Sequence, residues 1–281
     1  MHRGRWFRPE ANDSSGTLPL GPAGLGDQCP PVHQPVGAAR DVTRADADRR
    51  LRPRIWRDHD WHVMRHLRSA IDHFLDHTAG TRPGQRVLDL GCGDRPYAPL
   101  LAARHAEYVA CDLDGIVDVR IEPGRPIDLP DASADGIVSF QVLEHVWDLD
   151  WYLGECRRLL KPGGWLLLST HGSWLYHPHP TDFRRWTRNG LSQEIATRGL
   201  VVQDVRSITG PLAWTTLFRL MGLQHALRRL PILGPLALLP ITLFMNLRMI
   251  AEDAITPAHL RDTNACVYVT LSVKPRTSVE A

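Results

Sequence analysis

Two glycines and two carboxylates define the chemistry this chain can perform. Val87–Tyr97 reads VLDLGCGDRPY, an apolar run that reaches Asp89 and turns through Gly91, Cys92 and Gly93. Glycines where a strand passes into a helix let the backbone approach a ligand closely, because no Cβ intervenes. Asp94, Arg95 and Pro96 follow Gly93, so the third glycine of a pyrophosphate-binding loop is missing. The turn therefore suits a ligand without a phosphate at that point. Asp112 closes the next apolar run, 19 residues after Gly93, where a carboxylate can accept both hydroxyls of a ribose. Taken singly, these are an ordinary tight turn and a loop aspartate. Together they favour a nucleoside ligand.

A second group of chemically capable residues lies in HGSWLYHPHPTDFRRW, residues 171–186. Histidine titrates near neutral pH, so His171, His177 or His179 is a candidate general base. The competing reading is that these rings only hydrogen-bond a loop. A metal held by His177, His179 and Asp182 is chemically feasible but the weaker reading, and no metal ligand is assigned. Arg184 or Arg185 either pairs with Asp182 or binds an anionic acceptor, and the salt bridge is favoured.

The elements that must position these groups follow from hydrophobic periodicity. Trp61, Met64, Leu67, Ile71, Phe74 and Leu75 recur at spacings of three and four, which predicts a helix over 60–78. Short apolar runs then alternate with helical stretches. Strands are expected over 86–90, 108–112, 117–121, 136–141, 164–170, 201–207 and 265–273. Helices are expected over 96–104, 149–160 and 188–198. Near-continuously apolar strands separated by helices imply a doubly wound, mostly parallel α/β sheet of seven strands, covered on both faces.

The motifs, taken in order, resemble the class I S-adenosylmethionine-dependent methyltransferases, specifically the type 11 group. The resemblance rests on VLDLGCGDRPY, YVACDLD and ASADGIVSFQVLEHVWDLDWYLGECRRLLKPGGWLLLST, and continues through HPHPTDFRRWTRNGLSQEI. It implies S-adenosylmethionine as cofactor. Asp89, Gly91 and Gly93, with Cys92 between them, would shape the pocket for its methionine part. Asp112 would bind the ribose, and Leu113 would pack on the adenine. The turn 127–130 would approach the adenine edge through Asp128. Phe140 and Gln141 would lie under the methionine and the sulfonium. Glu144 and His145 of VLEH either contact the site or start a helix. The implied acceptor is a small molecule or a lipid-linked compound. A cofactor-binding sensor without transfer activity is the rival from another class, and a dinucleotide oxidoreductase is disfavoured by the missing glycine.

Composition narrows the setting. A net charge of +2 gives no overall electrostatic case for nucleic-acid binding, and no nucleic-acid partner is expected. Five scattered cysteines without a CxxC pair fit reduced thiols in the cytoplasm. The opening MHRGRWFRPE lacks the apolar run of a secretory signal. Residues 1–55, rich in proline and glycine, are expected to be a disordered tail. The cofactor core is expected over 81–209, a hydrophobic helical insertion over 210–262, the last strand over 263–275, and a short tail over 276–281.

Within the insertion, Trp214–Leu230 reads as an amphipathic helix. Pro231–Leu247 carries no charge for 17 residues. That is short for a membrane span, and Pro231, Pro235 and Pro240 are expected to break it. Residues 210–253 are then either a peripheral membrane contact at the inner face or a lid or dimer contact.

Overall fold

The computed structural model describes residues 49–177, 181–231 and 233–276. Most of the expected tail, 1–48, and also His179 lie outside them. The chain forms a seven-stranded sheet in the order β3-β2-β1-β4-β5-β7-β6. The strands are β1 Arg86–Leu90, β2 Glu107–Asp112, β3 Val119–Arg120, β4 Ala134–Phe140, β5 Leu160–His171, β6 Val201–Ile208 and β7 Val267–Val273. Strands β1 to β5 pair in parallel, and β7 runs antiparallel between β5 and β6. The chain winds outward from β1 through β2 to β3, then returns to place β4 on the other side of β1. Ligands bind at such a switch point, beyond the carboxyl ends of the strands.

The helices are α1 Trp61–Asp76, α2 Ala98–Ala102, α3 Leu149–Leu159, α4 Arg188–Thr197, α5 Pro211–Leu227, α6 Leu233–Ile255 and α7 Ala258–Thr263. Alternation along the strands splits the core into two layers. Leu88, Leu90, Ile137, Leu166 and Leu168 pack with α3 and α4 through Leu153, Cys156, Leu159, Leu191 and Ile195. Val87, Val138 and Leu167 face α1, α2, α5 and α6 through Leu67, Ile71, Leu101, Leu217 and Met249. Side-chain caps start two helices: Asp148 accepts from the Trp151 amide at 2.9 Å, and Thr187 accepts from the Gly190 amide at 3.0 Å.

Three local expectations change. The third strand shrinks to Val119–Arg120, since only these residues pair with β2. The fifth begins earlier, because Leu160 already pairs with Ala134 before a register shift. The prolines do not break the insertion: α6 runs unbroken for 23 residues through Pro240. Pro235 falls in its first turn, where no amide hydrogen bond is lost, and Pro240 lies on its exposed side.

Residues 49–55, expected in the tail, are already held to the domain. Arg49 pairs with Asp60 at 2.8 Å, and Arg68 donates to the Leu51 carbonyl at 2.7 Å. Asn246 of α6 donates to the carbonyls of Ile55 and Asp58 at 2.7 and 3.0 Å.

Candidate active site

The site is built at the ends of β1, β2, β4 and β5. After β1, the amides of Gly91 and Cys92 both donate to the Cys111 carbonyl, at 2.8 and 3.2 Å, tying the loop to β2. Gly91 and Gly93 take φ of +81° and +50°. The two glycines do different work. A Cβ at Gly91 would meet Val142 at 2.5 Å, whereas one at Gly93 would enter open space. Close packing thus excludes a side chain at Gly91, whereas Gly93 has open space beside it. Cys92 is buried, and burial pushes its thiol up to about 12. It is a packing residue of the loop, not a nucleophile.

Asp112 lies across the same space. Its carboxylate accepts from the Gly93 amide at 2.7 Å and from the Leu113 amide at 2.7 Å. Burial raises its carboxyl against the pull of these two amides. Leu113 is 40% exposed, an apolar surface beside that carboxylate. Asp89 is buried below the loop and accepts the Tyr108 hydroxyl at 2.7 Å. Burial pushes its carboxyl up to about 7.

The turn expected at the adenine edge is gripped from α3. Glu155 accepts from the Ile127 amide at 2.7 Å, and Arg158 donates to the carbonyls of Ile127 and Leu129 at 2.8 and 2.9 Å. Ile127 is buried and Asp128 is exposed on this turn. Glu155 and Arg158 have no apolar signature, so periodicity alone passed over them.

At the end of β4, Phe140 is buried in the core with its ring 4.7 Å from Tyr97. It is a packing residue more than a lining one. Gln141 takes a positive φ of 57°, a conformation that costs a non-glycine residue energy and is concentrated at functional sites. Its side-chain nitrogen donates to Ser169 Oγ at 3.0 Å. Its Oε1 is buried without a hydrogen-bond partner among the described residues. A buried acceptor without a partner is a group that a bound donor would satisfy.

Next to it stands a buried acid–base pair. His171 Nδ1 lies 2.8 Å from Glu144 Oε1, and Thr170 donates to the other Glu144 oxygen at 2.8 Å. Burial pushes the Glu144 carboxyl up, but the hydrogen bond and charge of His171 outweigh it and hold it below the usual carboxylate range. Trp174 stacks on His171 with centroids 4.8 Å apart. A strap then crosses both residues: the Phe183 amide donates to the Glu144 carbonyl at 2.9 Å, and the Trp186 amide to the His171 carbonyl at 3.1 Å. Glu144 sits in a short 3-10 turn, so the helix-start reading has some truth, but its carboxylate is turned toward His171.

His177 lies at the edge. Its ring is 5.7 Å from His145 and 6.2 Å from His171, and its amide donates to Asp182 at 2.8 Å. Asp182 is engaged by the Arg185 guanidinium, as expected, and Arg185 also donates to the Leu175 carbonyl at 2.8 Å. Arg184 donates to the carbonyls of Val146 and Trp147. Both arginines are thus occupied in shaping the loop. A separate concavity of about 680 Å³, lined by Arg82, Asp135, Lys161 and Arg276 among others, opens at the opposite end of the sheet. Arg82 and Lys161 both pair with Asp135 there.

The model of the methyltransferase domain family matches residues 62–224, more than half of the chain. The chain belongs to that family. A Mycolicibacterium smegmatis protein named "Probable S-adenosylmethionine-dependent methyltransferase" is 32% identical over 142 residues, covering 44% of this chain and 55% of that protein. A ubiquinone biosynthesis O-methyltransferase of Chromobacterium violaceum is 29% identical over 147 residues, covering 46% of this chain and 63% of that one. The chain thus spans between half and two thirds of the length of these two curated relatives. The crystal structure of the (4+2) cyclase SpnF superposes with a TM-score of 0.50 at 16% identity, over 79% of this chain and 86% of that one. At that identity the likeness is one of fold alone.

Proposed function

We propose that this methyltransferase domain transfers a methyl group from S-adenosylmethionine to a hydroxyl of a small-molecule or lipid-linked acceptor. The observation that carries the reading is the Asp112 carboxylate bonded to the Gly93 amide at 2.7 Å, on a loop whose Gly93 has open space beside it. S-adenosylmethionine, when bound, supplies a methyl group activated by a positively charged sulfur. Asp112 would hold the ribose hydroxyls, and Gln141 Oε1 would accept from a donor on the methionine part. Leu113 and the turn gripped by Glu155 and Arg158 would flank the adenine. Glu144 holds Nδ1 of His171, which fixes the tautomer and leaves the other nitrogen basic. His171 would then take the proton from the acceptor hydroxyl. The ubiquinone-pathway relative, named as an O-methyltransferase, agrees with a hydroxyl acceptor.

The lipid-linked reading draws on α6, whose polarity is inverted. Its buried residues include Thr242, Asn246 and Asp253, while Leu236, Phe244 and Leu247 are 69, 64 and 51% exposed. By length and composition α6 could cross a bilayer, and 22% of its most apolar stretch is buried. Asn246 and Asp253 anchor one side of it to the domain, so the apolar side is free to lie on a membrane surface instead. Exposed Arg228 and Arg229 precede it and suit anionic headgroups.

The test is formation of S-adenosylhomocysteine by the full chain with a panel of phenolic, quinol and lipid-linked acceptors. Cofactor binding without turnover on any acceptor would favour the sensor reading.

A further inference from the structure

We propose that His62, His66 and Asp253 form a binding site for one divalent transition-metal ion, Zn²⁺ by preference, that staples α1 to α6. The site is independent of the methyl-transfer reading. His62 and His66 stand one turn apart on α1, so their rings share a face. Asp253 arrives from α6, 191 residues after His62. One ligand atom from each of the three lies within 4.8 Å of the others, the one such histidine–carboxylate group among the described residues.

The geometry is close to what zinc requires. His62 Nε2 and Asp253 Oδ2 are 3.1 Å apart. Bonds of about 2.0–2.1 Å put neighbouring ligand atoms of a tetrahedral ion about 3.3 Å apart. The His66 ring stands edge-on to His62 at 4.6 Å and is exposed, which leaves an entry path and a place for a water ligand. Asp253 is already oriented, since its other oxygen accepts from the Gly210 amide at 2.7 Å. Among the described residues, His62 Nδ1 is buried without a hydrogen-bond partner, and Asp253 is the ring's one hydrogen-bonding anchor. A cation bound at Nε2 would take the place of the proton shared there, with the neutral imidazole's proton carried on Nδ1.

Two imidazoles and one carboxylate suit Zn²⁺ better than a hard cation such as Mg²⁺. The staple would secure α6 by the same polar seam that turns its leucines outward.

The experiment uses the full chain, free of any histidine tag and stripped of metal, titrated with zinc chloride by calorimetry and followed by thermal melts. One equivalent should bind and raise the Tm. His66→Ala should weaken binding by at least about ten-fold and leave the metal-free Tm unchanged, because its ring is exposed. Asp253→Asn should also weaken binding. No saturable binding would overturn the proposal. So would parental affinity in His66→Ala, or loss of binding in His73→Ala, which would place the ion on the His73–His77 pair.

Discussion

The buried Glu144 carboxylate meets the imidazole of His171 at 2.8 Å, and no other hydrogen-bond partner reaches either of the two facing atoms among the described residues. A carboxylate this enclosed acts on the ring and not on solvent. With any accepted substrate, His171→Ala should lower kcat by about 10²- to 10⁴-fold and leave cofactor affinity near that of the parent. Glu144→Gln should also reduce kcat, with a changed pH profile, since the imidazolium loses its counter-charge. Parental turnover in His171→Ala would remove this histidine from the chemistry.

The two loop glycines should separate fold from ligand. Gly91→Ala meets Val142 and a φ of +81°, so it should lower the Tm, costing about 1–3 kcal/mol. Gly93→Asn adopts a φ of +50° with little strain. It should keep the Tm close to the parent yet weaken cofactor binding. Melts and titration calorimetry on both variants check this, and equal cofactor affinity in Gly93→Asn and parent would contradict it.

Asp89 should make stability depend on pH. Burial raises its carboxyl to about 7 in the folded chain, against about 3.9 when unfolded. A raised value means the folded state holds the proton more tightly. Its stabilising contribution is therefore full below about pH 4 and is lost as pH rises to 7, on the order of 4 kcal/mol. Asp89→Asn stays neutral and can still accept from Tyr108. Its Tm relative to the parent should rise between pH 4 and pH 8. A constant difference across that range would refute the assignment.

The outward leucines of α6 should be dispensable for the fold. Leu236→Ser, Leu239→Ser and Phe244→Ser combined should abolish sedimentation with anionic vesicles while sparing the Tm and cofactor affinity. Binding by the parent should weaken with salt. A parent that stays in the supernatant would exclude the membrane reading, and a lowered Tm in the triple variant would show that the face is buried by protein.

The sheet was readable in the sequence because the central strands are nearly all apolar, β1 running into Gly91 and β2 ending at Asp112. Gly93, Asp112 and His171 stood out for the same reason: their types are chemically conspicuous where strands end. Glu144 was harder to read, because its role is set by a histidine brought near only by the pairing of β4 with β5. The grip of Glu155 and Arg158 on the 127–129 turn is likewise tertiary. The length of α6 was misjudged because a proline rule for isolated helices ignores the side that packs. Gly234 before the exposed Pro240, and Thr242, Asn246 and Met249 after it, are the buried positions of the side that packs.

The central claim rests on Asp112, and titration calorimetry of the full chain with S-adenosylmethionine and S-adenosylhomocysteine tests it most directly. The parent should bind both. Asp112→Ala should lose affinity by roughly 1.5–3 kcal/mol for each charged hydrogen bond removed, with an unchanged fold by circular dichroism. A parent that binds NAD but neither of these ligands, or an Asp112→Ala variant that binds as well as the parent, would contradict the account.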